Sequence, residues 1–233
     1  MSAEFYDLLQ AEDDRRRAER RFAHAARRAV TGVVEVGAGS GIVTQVLLAA
    51  SAVPVHAVEP SPAMRSLLLS RLAAVRADRR ARVTVHPHPL QEAGLEQVAD
   101  LVVASNVIAT LDPATRRELW KHVCASLVPG GLLLFDPPPT ALPADIQHGT
   151  TLGPVRVGPD HYYAEIRHTP ERGIIRAEFA YRVEREGRVL RREHETFDLW
   201  PADPALITEE LHQAGLHPVR APGPDLIAAR RTG

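Results

Sequence analysis

The chain has 233 residues, 45% of them apolar, and a formal net charge of -1. This length and composition support one globular domain with a substantial core, and the near-neutral charge argues against a nucleic-acid partner. The basic cluster at residues 15–21 follows Glu12, Asp13 and Asp14, so ion pairs within one helix account for it. The N-terminus is acidic where a signal peptide is basic, and no apolar run is long enough to span a membrane. We therefore expect a cytoplasmic protein that does not contact membranes.

Short apolar runs alternate with helical patterns along most of the chain. The predicted elements are a strand GVVEV from Gly32, a helix near 42–51, a strand VHAV from Val55, a helix over 62–77, strands RVTVH from Arg82 and ADLVVAS from Ala99, a helix over 113–127 and a strand GGLLLFD from Gly130. Strands separated by helices predict a doubly wound, parallel α/β sheet. The tail adds one helix that stops at Gly215 and two closing strands.

Residues 152–200 have a different period. Apolar side chains at 175, 177, 179, 181 and 183 alternate with mostly charged ones, which predicts a strand with one buried face. Turn residues in PERG and REGR bracket this strand. The block is therefore interpreted as an antiparallel β meander inserted in the α/β domain.

The stretch VVEVGAGSG places three glycines between the first strand and the first following helix. Such a turn lets the backbone approach a ligand and presents amides at the helix start. The spacing is Gly-x-Gly-x-Gly, whereas the dinucleotide fingerprint requires a third glycine where this chain has Ile42. Glu35, two residues before Gly37, would also repel a pyrophosphate, so a nicotinamide oxidoreductase is disfavoured.

Glu59 stands at the end of the second strand, in the segment HAVEPSPAM. A carboxylate in this position can accept hydrogen bonds from both hydroxyls of a ribose. A ribose without a pyrophosphate, in a site that tolerates cationic groups, favours S-adenosylmethionine as the ligand.

The segments VVEVGAGSG, AVEPSPAM, ADLVVASNVIATL, LVPGGLLLFDPPP and ITEELHQAGLHPVR follow one another in this order. Together they resemble successive motifs of the class I S-adenosylmethionine-dependent methyltransferases, over residues 4–231 except the 152–200 block. The resemblance implies a Rossmann-like, seven-stranded, mostly parallel sheet whose last strand runs antiparallel. It also implies one methyltransferase domain with four parts: a helical lid at 1–30, a cofactor-binding core at 31–150, a substrate roof at 151–200 and a closing segment at 201–233.

The resemblance further assigns residues to the cofactor. It implies that the glycine turn lines the cofactor, that Glu59 holds the ribose, and that the residues after Glu59 flank the adenine. Polar residues after the fourth strand would lie near the methionine portion, and an N-terminal tyrosine in EFYDLL would close over it. The implied contacts other than Glu59 are Tyr6, Glu35, Gly37, Ala38, Gly39, Gly41, Pro60, Met64, Ser105 and Asn106.

The chain departs from the family after the third strand. The family has an acidic residue there for the adenine amino group, but this chain has His88, Pro89 and Leu90. We expect these three residues to adjoin the adenine and backbone groups to recognise it.

The inserted meander resembles the extension over the active site of bacterial small-molecule methyltransferases, including those that act on amino sugars and other natural-product amines. We therefore expect methyl transfer to a small-molecule substrate, with an amine favoured over a hydroxyl. Within the meander, His161 and Tyr162 are the candidate catalytic residues, and neighbours on a strand point to opposite faces. His161 is favoured as the base, because imidazole accepts a proton near neutral pH.

Two other functions remain open at this point. The same cofactor and fold serve other reactions, such as an intramolecular cyclisation, and a non-catalytic protein that only binds the cofactor fits the same motifs. The paired histidines of HPHP lack an acidic or cysteine partner, so no metal site is predicted. The sequence leaves a homodimer open.

Overall fold

The computed structural model describes residues 3–233. In this range the helices are α1 (Ala3–Ala26), α2 (Ile42–Ala50), α3 (Pro62–Ala73), α4 (Ala77–Arg80), α5 (Pro113–Ser126) and α6 (Pro204–Gln213). The strands are β1 (Val33–Val36), β2 (Val55–Val58), β3 (Val83–His86), β4 (Ala99–Ala104), β5 (Leu127–Phe135), β6 (Gln147–Val157), β7 (Asp160–Glu171), β8 (Ile174–Arg185), β9 (Arg188–Leu199), β10 (Leu216–Val219) and β11 (Ile227–Arg231). Within 3–233, none of the helices has the length and apolar character that crossing a bilayer requires.

The larger sheet has seven strands in the order β10-β11-β5-β4-β1-β2-β3. Strands β1 to β5 run parallel to one another, and β11 runs antiparallel to β5. The predicted doubly wound, mostly parallel sheet with an antiparallel last strand is confirmed.

Alternate residues of the parallel strands serve two cores, one on each face of this sheet. In β1, Val34 and Val36 pack in a cluster with Trp120 of α5, whereas Val33 packs in a second cluster with Phe22 of α1. Side chains of a strand point alternately to opposite faces, so both faces are apolar and both are covered by helices. This explains why the strands read as continuous apolar runs.

Three helices begin with the same local signal, a capping side chain followed by proline. The capping oxygen accepts a backbone N–H of the first turn, and proline occupies the first helical position, where its missing N–H costs nothing. The three pairs are Ser61-Pro62, Asp112-Pro113 and Asp203-Pro204. These signals place the starts of α3 and α5 at the predicted residues, whereas α3 ends at Ala73, before the predicted 77.

The inserted segment forms a separate four-stranded antiparallel sheet in the order β6-β7-β8-β9. In β8 the side chains of Ile175, Ala177, Tyr181 and Val183 are buried, which agrees with the predicted alternation. The sheet begins at Gln147, earlier than the expected residue 152. The stretch from 147 contains Gly149, and glycine weakens a strand prediction, so the sequence pattern does not reveal the start of β6.

A buried ion pair joins α5 to α6. Arg116 donates from Nε and Nη2 to the two carboxylate oxygens of Glu210 at 2.8 and 2.9 Å, and Trp120 donates from Nε1 to Glu210 at 3.1 Å. Both charged side chains are almost fully buried. Each charge is therefore tolerated only because the other is present.

Replacing Glu210 by alanine should leave the Arg116 guanidinium buried without a counter-charge. We expect Glu210→Ala to lower the free energy of unfolding by about 3 to 5 kcal/mol, measured by urea denaturation. Glu209→Ala is the matched control, because Glu209 is exposed and accepts a hydrogen bond from Gln213 of its own helix. Equal stability of the two variants would show that the buried pair does not stabilise the fold.

Candidate active site

The carboxyl ends of β1, β2 and β4 lie side by side, because Val36 pairs with Val58 on one side and with Ala104 on the other. The segments that follow these strands open into a cavity of about 590 Å³, which we call the main cavity. Residues of β7, β8 and β9 form its opposite wall. The main cavity therefore extends from the glycine turn to the inner face of the small sheet.

The glycines of the turn serve different purposes. Gly39 and Gly41 have φ angles of 56° and 86°, in the left-handed region that favours glycine. A Cβ on Gly41 would lie 2.5 Å from Cδ1 of Leu68, so the packing of α2 against α3 requires glycine there. A Cβ on Gly39 would meet no atom within 4 Å, and Gly39 lines the main cavity. Gly39 thus leaves space for a ligand, whereas Gly41 lies outside the lining.

Glu59 connects this turn to the end of β2. Its Oε2 accepts a hydrogen bond from the backbone N–H of Gly39 at 2.7 Å, and its Oε1 accepts one from Ser61 at 2.8 Å. The side chain is only 6% exposed but lines the main cavity. Since each carboxylate oxygen has a further lone pair, Glu59 can fix the turn and still accept hydrogen bonds from ligand hydroxyls.

Glu35 lies behind the turn and not in the lining of the main cavity. Its buried carboxyl accepts a hydrogen bond from Thr44 Oγ1 of α2 at 2.6 Å. Burial, together with the nearby charge of Glu59, raises the pKa of Glu35 to about 8. The carboxyl is therefore protonated at neutral pH, and it contacts α2, not the cavity.

The segment after β3 supplies a further wall. Pro89 and Leu90 line the main cavity as expected for the adenine side, but His88 does not. The His88 imidazole is exposed and lies 3.7 Å from the carboxylate of Glu92, four residues along the chain. Gln91, which the sequence analysis did not select, does line the cavity, and its amide can both donate and accept hydrogen bonds.

Helix α1 and the loop after β4 close another side of the main cavity. Tyr6 donates from its hydroxyl to Asp14 Oδ2 at 2.9 Å, and burial, with the adjoining Asp14 carboxylate, raises the pKa of Tyr6 above its ordinary value. Ser105 and Asn106 lie opposite in the lining. Asn106 has a φ of 57° and donates its backbone N–H to Asp136 at 2.7 Å, so a left-handed turn aims this loop at the cavity.

His161 and Tyr162 are not brought to the main cavity. Tyr162 faces α1, where its ring lies 5.8 Å from that of Phe5. His161 has the opposite orientation on β7, since side chains alternate along the strand. Neither side chain lines the main cavity, and the catalytic role assigned to them from the sequence stays a prediction.

His168, farther along β7, is the histidine that lines the main cavity in the described part of the chain. It is paired in register with Ala177 of β8, which lines the cavity too. The rest of the inner face comes from β8 and β9: Phe179, Tyr181, Glu195, Phe197 and Leu199. This wall is mostly aromatic and apolar, with one imidazole and one carboxyl group.

Residues 34–133 match the family model described as a methyltransferase domain. These residues therefore form a methyltransferase domain. Solved structures share its fold across nearly its whole length. They include an amino pentose methyltransferase from Micromonospora echinaspora involved in calicheamicin biosynthesis, at 22% identity and a TM-score of 0.69, covering 96% of this chain and 90% of that chain. A sugar N-methyltransferase from Streptoalloteichus has 22% identity and a TM-score of 0.72, covering 97% of this chain and 87% of that chain.

An S-adenosylmethionine-dependent methyltransferase from Clostridium acetobutylicum has 15% identity and a TM-score of 0.72, covering 99% of this chain and 98% of that chain. A comparison with curated proteins returned no significant match. At these identities the solved structures establish the fold and neither the reaction nor the acceptor.

In this methyltransferase, most residues that the sequence assigned to the cofactor lie around one cavity. Those in the lining are Tyr6, Gly37, Ala38, Gly39, Glu59, Pro60, Met64, Pro89, Leu90, Ser105 and Asn106. Those outside the lining are Glu35, Gly41 and His88. The three exceptions contact neighbouring elements or solvent, so their side chains support or adjoin the site without facing it.

The buried Glu35 makes the stability of the methyltransferase depend on pH. The folded protein holds this proton up to about pH 8, whereas the unfolded chain releases it near the ordinary carboxyl pKa of 4.5. Between these values unfolding releases a proton, so rising pH favours the unfolded state. Glu35→Gln keeps an oxygen for Thr44 and cannot ionise.

We expect the free energy of unfolding of the wild type to fall relative to Glu35→Gln as the pH rises from about 5 to 8, by up to about 1.4 kcal/mol per pH unit. Urea denaturation of both proteins across this range measures the difference. Parallel pH profiles would show that Glu35 is ionised in the folded protein.

Proposed function

We propose that this methyltransferase transfers the methyl group of S-adenosylmethionine to an amine of a small molecule. The observation that carries the proposal is the continuity of the main cavity. One end is formed by Gly39 and Glu59, and the other by the inner face of the small sheet. The methyl donor and the acceptor can therefore bind at opposite ends of the same cavity.

The cofactor half is assigned from the groups that line it. Glu59 would accept hydrogen bonds from the ribose hydroxyls, and the absent side chain of Gly39 would leave room beside them. Pro89 and Leu90 flank the adenine, and Gln91 takes the place of the acidic residue that the family has for the adenine amino group. Tyr6, Ser105 and Asn106 surround the methionine portion.

The charges of the main cavity favour an amine as acceptor. Its lining contains three carboxyl groups, from Asp14, Glu59 and Glu195, and one guanidinium, from Arg17. Arg17 is paired with Asp14 at 3.2 Å. Such a lining stabilises cations, both the sulfonium of the donor and the ammonium of an acceptor. The names of two structural neighbours, an amino pentose methyltransferase and a sugar N-methyltransferase, agree with this choice.

An ammonium must lose a proton before its lone pair can attack. S-adenosylmethionine supplies a methyl group already activated on a positively charged sulfur. His168 accepts the proton of the ammonium, because its imidazole lines the acceptor half and a neutral imidazole has one nitrogen with a free lone pair. Phe179, Tyr181 and Phe197 keep water out and hold the acceptor toward the donor. Positioning and this one proton transfer are the contribution of the protein.

Removing the Glu59 carboxylate should weaken cofactor binding. We expect Glu59→Ala to reduce the affinity for S-adenosylmethionine by about one to two orders of magnitude, or roughly 1.5 to 3 kcal/mol, measured by calorimetry. Glu92→Ala, which removes an exposed carboxylate outside the cavity, should change the affinity less than about twofold. Unchanged affinity in a folded Glu59→Ala protein would remove the assignment of this half to the cofactor.

The base can be identified by comparing two histidines of one strand. With amino sugar acceptors, we expect His168→Ala to lower the turnover number by about 10² or more, to remove the acid limb of the pH–rate profile, and to leave cofactor affinity within about twofold. His161→Ala is the matched control and should keep both. The reverse result, an inactive His161→Ala and an active His168→Ala, would restore the role that the sequence first predicted for His161.

A further inference from the structure

A second cavity of about 300 Å³ adjoins the main cavity. His168 and Leu199 line both, so the two cavities meet at these side chains. The outer wall comes from the segment that joins β5 to β6, with Pro139, Leu142 and Pro143, and the floor includes Ile175 of β8. A molecule held at His168 can therefore extend into the second cavity.

Six of the eight described residues that line the second cavity have apolar side chains. Apart from His168, its lining in the described residues has one polar side chain, Gln147, and neither an arginine nor a lysine. Pockets of a few hundred Å³ with such walls bind apolar groups and use a few polar groups to fix orientation. The second cavity therefore suits an uncharged, apolar group.

The charges of both cavities disfavour a nucleoside diphosphate. A diphosphate is bound through arginine, lysine or several backbone amides, which neutralise its charge. Among the described lining residues of the two cavities, Arg17 is the one guanidinium, and it is already paired with Asp14 at 3.2 Å. Glu59 and Glu195 add further carboxyl groups. A diphosphate would meet more carboxylates than cations.

We propose that the second cavity binds an apolar, uncharged body of the methyl acceptor, so that the substrate is an amine attached to an apolar group and not to a nucleoside diphosphate. This inference rests on the proposed function and specifies its substrate class. The amine lies at His168 in the main cavity, and the apolar group extends past Leu199 toward Pro139 and Leu142.

Two probes with the same amino sugar separate the possibilities. One is its octyl glycoside and the other its thymidine diphosphate ester, each titrated by calorimetry into the protein loaded with S-adenosylhomocysteine. We expect the octyl glycoside to bind at least about tenfold more tightly than the diphosphate ester. Equal or tighter binding of the ester, or no saturable binding of the octyl glycoside, would overturn the inference.

A lysine in the second cavity should reverse this preference. Leu142 is 42% exposed, so Leu142→Lys is compatible with folding while placing a cation in the cavity wall. We expect it to weaken octyl glycoside binding by about tenfold and to strengthen binding of the diphosphate ester. The matched control is Leu69→Lys on α3, an exposed leucine outside both cavities, which should change neither affinity.

Calorimetry of S-adenosylhomocysteine alone distinguishes failure of the proposed substrate class from failure of the proposed function. If the cofactor product binds but Leu142→Lys leaves both probe affinities unchanged, the second cavity is not the acceptor site and the proposed methyl transfer stands. If the cofactor product itself does not bind, the proposed function fails, and this inference fails with it.

Discussion

Helix α1 packs against both sheets and lines the main cavity that lies between them. The ring of Phe5 near its start stacks on Tyr181 of the small sheet at 4.7 Å, while Phe22 near its end is buried in the core of the large sheet. Asp7 forms an ion pair with Arg71, which also donates to the carbonyl of Ser40 in the glycine turn at 2.9 Å. The same helix therefore positions the roof, the turn and Tyr6.

The sequence predicts those parts of the fold that are encoded locally. Capping residues followed by proline set the starts of three helices, the apolar runs predict the parallel strands, and the alternation in β8 reveals the antiparallel insertion. The glycine turn and Glu59 are similarly recognisable, because each follows a strand and the carboxyl ends of parallel strands share one edge of the sheet. These elements depend on neighbours a few residues away.

The direction in which a side chain faces is less accessible to sequence reasoning. The sequence shows that His161 and Tyr162 lie on opposite faces of β7. Which of these faces is turned toward α1 depends on where α1 packs, and α1 is more than a hundred residues away along the chain. His168 could be identified only from the register that places it opposite Ala177. Gln91 was overlooked because the turn after β3 is a short 3₁₀ helix, whose start at Leu90 no strong signal marks.

The charge of the main cavity affects how tightly it binds the cofactor before and after the proposed methyl transfer. Methyl transfer converts a sulfonium into a neutral thioether, so the donor carries a positive charge at sulfur that its product lacks. A lining with three carboxyl groups and one guanidinium stabilises the donor more than the product. Under the proposed function, the same lining stabilises a substrate ammonium, whose proton passes to His168 before attack. Under this proposal, the negative lining that binds both cationic reactants binds the neutral cofactor product less tightly. A new molecule of the donor therefore displaces the product from the main cavity.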